Sequence, residues 1–446
     1  MKQRTTRRRF LQQTASLAAI GYLSCRSPGA PAQKESPNDK IQIAIIGVGG
    51  RGASNTGDVK GEQIVALCDI DDNPLKKAAG TYKDAKTYHD FRELLADPKG
   101  IDAVVISSAD HTHAPAAVRA MRKGLHVYCE KPLAHTVGEA RLVRETYLAR
   151  KDKIATQMGT QIHATDNYRR VVELVQSGAI GNVTQAHVWC NRFSSQAPPP
   201  KGSKPVPGNL HWDLWVGPAP FREFQDGYHP GNLTWNRYFD IGNGILGDMG
   251  SHLIDLPYWA LALTFPTSCE VDAPAADPVI YPTKMTATWE HPKRGEGPHE
   301  QACKVVWYDG HAKPSELLGV DVSKYGIGVL FVGEKGKLLA DYGRKTLLPA
   351  EDFKDFKAPE PTIPKSRGHH AEWLHAIRSG KFSETLCNFN YSGRLIEHNL
   401  LGIVAHRTGK KLMWDAEKLK ATNAPEADKF INKVYRKGWG FDDTAA

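Results

Sequence analysis

Three groups of residues in this sequence have the types and spacing for chemistry. The first is Gly47-Val48-Gly49-Gly50-Arg51-Gly52, a G-x-G-x-x-G that follows a β-branched apolar run at 41–46. Gly47 permits a tight turn, Gly49 lets backbone approach a pyrophosphate, and Gly52 allows close helix–strand packing. A helix after the loop offers its N-terminal N–H groups to the anion. Asp69 closes the next apolar run and stands 22 residues after Gly47, the place of an acid that binds a ribose 2′-hydroxyl. That carboxylate would repel a 2′-phosphate, so NAD is expected over NADP, with Arg51 the one residue arguing the other way. The second group, Ser107, Ser108, His113, Glu130 and Lys131, stands at the ends of later apolar runs. The third is Asp248 and His252, spaced i and i+4, which share a face of any helix starting near Gly247. A nicotinamide exchanges hydride, and oxidising an alcohol carbon also needs a base for the hydroxyl proton.

The elements that must position these residues can be read from the apolar pattern. Short runs at 41–46, 64–68, 101–106, 125–129 and 154–158 read as buried strands, and 114–124 and 137–149 as helices between them. Such alternation gives a parallel sheet with right-handed crossovers, and ligands sit at the carboxyl ends of its strands. Further on, 166–177 has helical spacing before Gly178, 182–190 is a strand, and 194–209 is too rich in Pro, Gly and Ser for a regular element. Residues 327–342 read as a hairpin turning at 333–336, and 371–379 and 392–408 as helices. No internal repeat is present. Residues 210–239 hold eight aromatic residues, where a chain that is 9% aromatic overall would hold about three. Aromatic faces interleaved with polar groups suit a carbohydrate or polyol, and core packing is the alternative for most individual rings. Trp235 and Arg237 from this stretch are candidate substrate contacts, as are Gln161 and His163.

With Glu130-Lys131-Pro132 ending a strand and Gly247-Asp248-Met249-Gly250-Ser251-His252 about 120 residues on, the chain resembles the Gfo/Idh/MocA family of sugar and inositol oxidoreductases. The likeness also takes in the Gly47 loop, Asp69 and the 107–113 segment. It implies an α/β protein in three parts: 1–40 as signal and linker, 41–160 as an N-terminal doubly wound Rossmann domain, and 161–446 as a C-terminal α/β domain. The last would carry a large, mainly antiparallel open sheet for substrate binding and oligomerisation, as a dimer or tetramer. It further implies Lys131 beside the nicotinamide, His252 as acid/base, and Asp248 as the residue that binds substrate hydroxyls and orients the site. A neighbouring cation or a desolvated cleft would lower the pKa of Lys131 and fit it for proton relay. Relatives often carry a basic residue near position 163, so His163 is a departure that leaves the substrate class open.

The formal net charge is +9, which at face value suggests an anionic partner. Six of the 58 basic residues, however, lie in positions 1–30, where no acid occurs; the remainder is close to balanced at +3, and nucleic acid is not expected. Thr6-Arg7-Arg8-Arg9-Phe10-Leu11-Gln12, followed by a short apolar run, resembles a twin-arginine export signal. The expected destination is the periplasm, reached through the twin-arginine machinery, which carries folded proteins and so allows NAD to be loaded first and held tightly. Ala30-Pro31-Ala32 is an A-x-A cleavage pattern, and Leu23-Ser24-Cys25 resembles a lipobox with its Leu one residue too close, which leaves open a lipid anchor at Cys25. The seven cysteines show no C-x-x-C and no disulfide framework.

The reading that follows is an exported NAD(P)-dependent oxidoreductase, acting between its nicotinamide and a sugar or polyol hydroxyl. A glycoside hydrolase that oxidises the sugar transiently is the alternative, and a noncatalytic sugar- or NAD-binding protein a third. Asp248, His252 and Asp255 at i, i+4 and i+7 could also hold a metal. No metal is expected, because the nicotinamide makes one unnecessary.

Overall fold

The structure, a computed structural model, describes residues 40–194, 199–229, 232–294 and 300–441. The twin-arginine segment, Cys25 and part of the 194–209 loop therefore lie outside the described residues.

Six parallel strands form the first sheet: β1 Gln42–Ile46, β2 Gln63–Cys68, β3 Lys86–Tyr88, β4 Ala103–Ile106, β5 His126–Cys129 and β6 Thr156–Met158. Their order is β3-β2-β1-β4-β5-β6. The chain leaves β1 toward β2 on one side and reaches β4 on the other, so a crevice opens at the carboxyl ends of β1 and β4. Both faces are covered, which is why these strands read as unbroken apolar runs. Ile43, Ile45 and Val105 share one core cluster with Leu75 and Trp373, while Ala44, Ile46 and Val104 share another with the helix Asp110–Arg122. Trp373 belongs to the helix His369–Ser379, and its indole donates to the Ala155 carbonyl at 3.2 Å. A helix from far downstream thus completes the first sheet, a pairing that local periodicity cannot show.

The second sheet has nine strands: β7 Val183–Cys190, β8 Ser268–Asp272, β9 Lys284–His291, β10 Cys303–Gly310, β13 Ile327–Gly333, β14 Gly336–Ala340, β15 Lys345–Leu348, β16 Leu412–Asp415 and β17 Lys420–Ala421. A small hairpin of β11 Glu316–Leu317 and β12 Val320–Asp321 stands apart from it. The order is β15-β14-β13-β7-β10-β9-β8-β16-β17, and β7 with β10 is the parallel pair in an otherwise antiparallel sheet. Along β9, Met285, Ala287, Trp289 and His291 are buried and alternate with more exposed residues, so one face looks into the core. The helix Phe389–Thr408 lies on that face. A methyl at Gly402 would come within 2.9 Å of both Leu246 and Trp289, so only glycine permits this helix to approach so closely. Asn388 caps its start and Gly409, at φ 68°, ends it.

The six described cysteines are all buried thiols. No helix of the described residues is long and apolar enough to cross a membrane.

Candidate active site

The glycine loop is pressed against the end of β4. A methyl on Gly52 would stand 1.8 Å from the Gly47 carbonyl oxygen, and one on Gly47, at φ +81°, would stand 2.8 Å from Ser107 backbone. Neither position can hold a side chain without opening the turn. The N–H groups of Val48 and Gly49 donate to Asp69 Oδ2 at 2.9 and 3.2 Å, and that of Asp71 to Oδ1 at 3.0 Å. Burial pushes the Asp69 carboxyl up, and the three N–H donors offset this only in part. Asp69 therefore braces the loop as well as facing the groove. A cavity of about 520 Å³ runs from Asp69, past Gly49, Gly50, Ser107 and Ser108, to Lys131 and Asp248. Such a volume is ordinary for a cofactor site. The tight loop, the acid at the end of β2 and this cavity fit a nicotinamide dinucleotide.

Glu130, at the end of β5, ties the groove together. Its Oε1 accepts from Arg51 Nε at 3.0 Å, Asn55 Nδ2 at 3.0 Å and Gln161 Nε2 at 2.9 Å. Burial raises its carboxyl, but Arg51 and Asn55 outweigh this and hold it below the usual glutamate range. Arg51 is thus spent on Glu130. His113 is buried in the lining of the groove, with Nδ1 2.7 Å from the Pro132 carbonyl and Nε2 2.8 Å from the Ser108 carbonyl, so it clamps two strand-end loops together. Ser107 accepts from Asn55 at 2.8 Å and Ser108 from Thr112 at 2.7 Å.

At the other end of the cavity, Lys131 Nζ donates to Asp248 Oδ1, and Arg192 Nη1 donates to Asp248 Oδ2 at 3.1 Å. Asp248 sits on the helix Gly244–Leu253 and is buried. Burial raises its carboxyl, yet Lys131, with help from His252 and Arg192, brings it below its ordinary value. His252 follows one turn later on the same helix. Burial and the charge of Lys131 push its imidazole down to about 4, so it is neutral at pH 7 and can accept a proton. Its Nδ1 is buried without a partner among the described residues. Asp110, at the start of the helix Asp110–Arg122, is buried nearby and pushed well above the usual carboxylate range by desolvation. The direct partner of Lys131 is the Asp248 carboxylate, and the nearest cation, Arg192, lies across that carboxylate.

Several expected substrate contacts are placed elsewhere. Gln161 donates to Glu130 and to the Tyr128 hydroxyl, so it supports the cofactor groove from behind. His163 is buried, with Nδ1 2.9 Å from Asp255 Oδ2 and its ring stacked on Trp259 at 3.8 Å. Asp255 also accepts from Tyr391 at 2.7 Å, so it joins His163 and not Asp248 and His252. Arg237 Nη2 donates to the Tyr238 hydroxyl, and its guanidinium lies over that ring. Most of the aromatic segment forms a core of its own, in which Trp212 stacks on Trp215 at 4.5 Å and Phe224, Tyr228 and Tyr238 close around them. Trp215 and Trp235 do line the cavity. Asn55, Asp110 and Arg192 belong to none of the three groups that the sequence marks for chemistry. Of these, Asn55 is one turn into the helix that starts at Arg51, which is the signal that could have found it.

Comparison with known proteins decides the family. Residues 41–159 match the family model described as "Oxidoreductase family, NAD-binding Rossmann fold", and residues 169–441 match its companion, "Oxidoreductase family, C-terminal alpha/beta domain". The chain belongs to the GFO/IDH/MocA oxidoreductase family. Its first domain is accordingly an NAD-binding Rossmann fold, and the residues built above are those of a family member. Among curated relatives, a glycosyl hydrolase family 109 protein of Solibacter usitatus is 33% identical over 40% of this chain and 44% of its own length. An inositol 2-dehydrogenase of Salmonella paratyphi B is 30% identical over 33% of this chain and 45% of its own. The chain therefore spans less than half of either relative. Among solved structures, a levoglucosan dehydrogenase in complex with NADH and levoglucosan superposes with TM-score 0.56 at 16% identity, over 83% of this chain and 98% of that one, a likeness of fold.

Proposed function

We propose that this family member is an NAD-dependent dehydrogenase of sugar or polyol CH–OH groups. The observation that carries the reading is the meeting of Lys131 with Asp248 at the end of the dinucleotide groove, with neutral His252 one turn away. NAD, when bound, supplies the hydride acceptor. Lys131 and Asp248 hold the reacting hydroxyl between a donor and an acceptor, and the neutral imidazole of His252 takes its proton. The names of the inositol and levoglucosan dehydrogenases agree with a polyol or sugar substrate. The test is a panel of sugars, polyols and glycosides given to the holoenzyme, with product and reduced nicotinamide followed together. Net reduction of the nicotinamide by free sugars supports the reading, and none across the panel contradicts it.

The glycosyl hydrolase family 109 relative favours a second reading, in which transient oxidation labilises a glycosidic bond and the hydride is returned. Cleavage of an aryl glycoside without net reduced nicotinamide would select it. The Arg7-Arg8-Arg9 segment supports export with NAD already loaded and firmly held, and the broad open sheet supports a dimer or tetramer. A precursor and a shorter periplasmic form in fractionated cells, with nicotinamide released only on denaturation, test the first. Scattering mass in solution tests the second.

A further inference from the structure

Two cations share one carboxylate, Asp248; Lys131 and Asp248 line the reacting end of the cavity, and Arg192 reaches the carboxylate from beyond that lining. Lys131 comes from the end of β5 in the first domain, and Arg192 lies two residues past the end of β7 in the second. They occupy the two oxygens of Asp248, which is itself buried. The other charged groups nearby do not redress the balance. Glu130 is matched by Arg51. Asp110 is pushed well up by burial, which disfavours its charge, and His252 is pushed down to about 4 and is neutral. An oxidised nicotinamide, when bound in the adjoining groove, would add further positive charge on its ring.

The two cations also differ in what surrounds them. The Lys131 side chain is 15% exposed and directed to Asp248, while the Arg192 side chain is 49% exposed. Arg192 Nε and Nη2 have no hydrogen-bond partner among the described residues, since its bond to Asp248 uses Nη1 alone. A guanidinium with one edge on a buried carboxylate and another turned to solvent is laid out to receive a second planar anion.

We infer that the substrate carries a carboxylate that binds Arg192, so that the site takes sugar acids, uronic or aldonic, in preference to neutral sugars. This rests on the dehydrogenase reading of the same site. Arg192 then fixes the ring through its acid group while Lys131, Asp248 and His252 address the hydroxyl to be oxidised. A charge-assisted fork of this kind is worth about tenfold to a hundredfold in recognition.

The test uses the holoenzyme with matched probes: glucuronate against glucose, galacturonate against galactose, and glucose 6-phosphate as a phosphate control. Wild type should show kcat/KM at least about tenfold higher for the uronate of each pair, chiefly through KM. R192Q should bring the ratio close to one by raising KM for the uronate, and R192K should restore part of it. An equal fall for both members of a pair in R192Q would mean that Arg192 serves only to place Asp248, and would overturn the inference. So would a wild-type preference for the neutral sugar or for the phosphate. Calorimetric binding of glucuronate separates the two levels of the argument. Binding lost in R192Q without turnover would leave the inference standing and the dehydrogenase reading wrong, whereas absence of binding would overturn the inference.

Discussion

Lys131 and Asp248 are 117 residues apart in the chain and form an ion pair at the end of the dinucleotide groove. The first stands at the tip of a Rossmann strand and the second on a helix that packs against the second sheet. The pair therefore exists only when both domains are folded together, and neither half can assemble the site alone.

Removing the lysine should separate chemistry from cofactor binding. K131A is expected to lower kcat by about 10²- to 10⁴-fold, the usual range for a group that handles the reacting proton. NAD content should remain as in wild type, because Glu130 and the glycine loop are untouched. Cofactor release by denaturation, alongside initial rates, checks both parts.

Asp248→Asn should be costly in two ways. It leaves Lys131 and Arg192 facing each other with no carboxylate between them, and it removes an acceptor for the substrate hydroxyl. We expect kcat/KM to fall by at least about 10²-fold and the thermal midpoint to drop by several degrees, given about 1–3 kcal/mol for an unsatisfied buried group. Unchanged melting with unchanged kinetics would remove Asp248 from the account.

Gly52→Ala places a methyl 1.8 Å from the Gly47 carbonyl, so the loop must open for the chain to fold. The variant should keep its second sheet but lose NAD. Circular dichroism together with cofactor stoichiometry reads this directly, and retention of full NAD occupancy would contradict it. Asp69→Asn is milder. It keeps the position but weakens acceptance from Val48 and Gly49, and should raise the NAD dissociation constant by about tenfold.

Stability should depend on pH in a definite direction. Burial, the first cause in each case, pushes His111 and His370 down to about 3, and His187, His252, His369, His398 and His406 down to about 4. A folded-state pKa below the ordinary 6.5 means that the unfolded chain binds more protons between those values. The stability of these neutral histidines is full above about pH 6.5 and is lost as pH falls toward 4. Asp309 and Glu397, both pushed up to about 7 by burial, act in the opposite sense, as do Asp69 and Asp110, which burial also raises, but these carboxyls are four against the seven histidines. The thermal midpoint should therefore fall steadily from pH 7 to pH 4.5, and a flat or rising profile would contradict this balance.

The legible parts of the fold were those whose signal is local. β1, β4 and β5 are buried on both faces and read as apolar runs, and the loop glycines carry a spacing set by the anion they approach. The hairpin of β13 and β14 turns between Gly333 and Gly336 as its glycines indicate. The apolar pattern starts the helix Asp110–Arg122 four residues late, because Asp110-His111-Thr112-His113 is polar in composition yet wholly buried by the elements packed on it. Arg192 was not legible at all. It follows a strand in a Ser- and Pro-rich stretch, and only the arrival of Asp248 beneath it gives it a role. His163 and Arg237 misled for the complementary reason: both are polar residues near the right segment, but Asp255 and Tyr238 claim them in the interior.

In the proposed reaction a hydride passes from a sugar CH–OH to a nicotinamide held beside Lys131. The most direct measurement takes a sugar or sugar acid deuterated at each candidate carbon, incubates it with holoenzyme, and weighs the released cofactor. The account predicts that one deuterated position transfers its label to the nicotinamide, and that K131A slows the transfer by about 10²-fold or more. Product formation from every isotopomer with no label in the cofactor would contradict it.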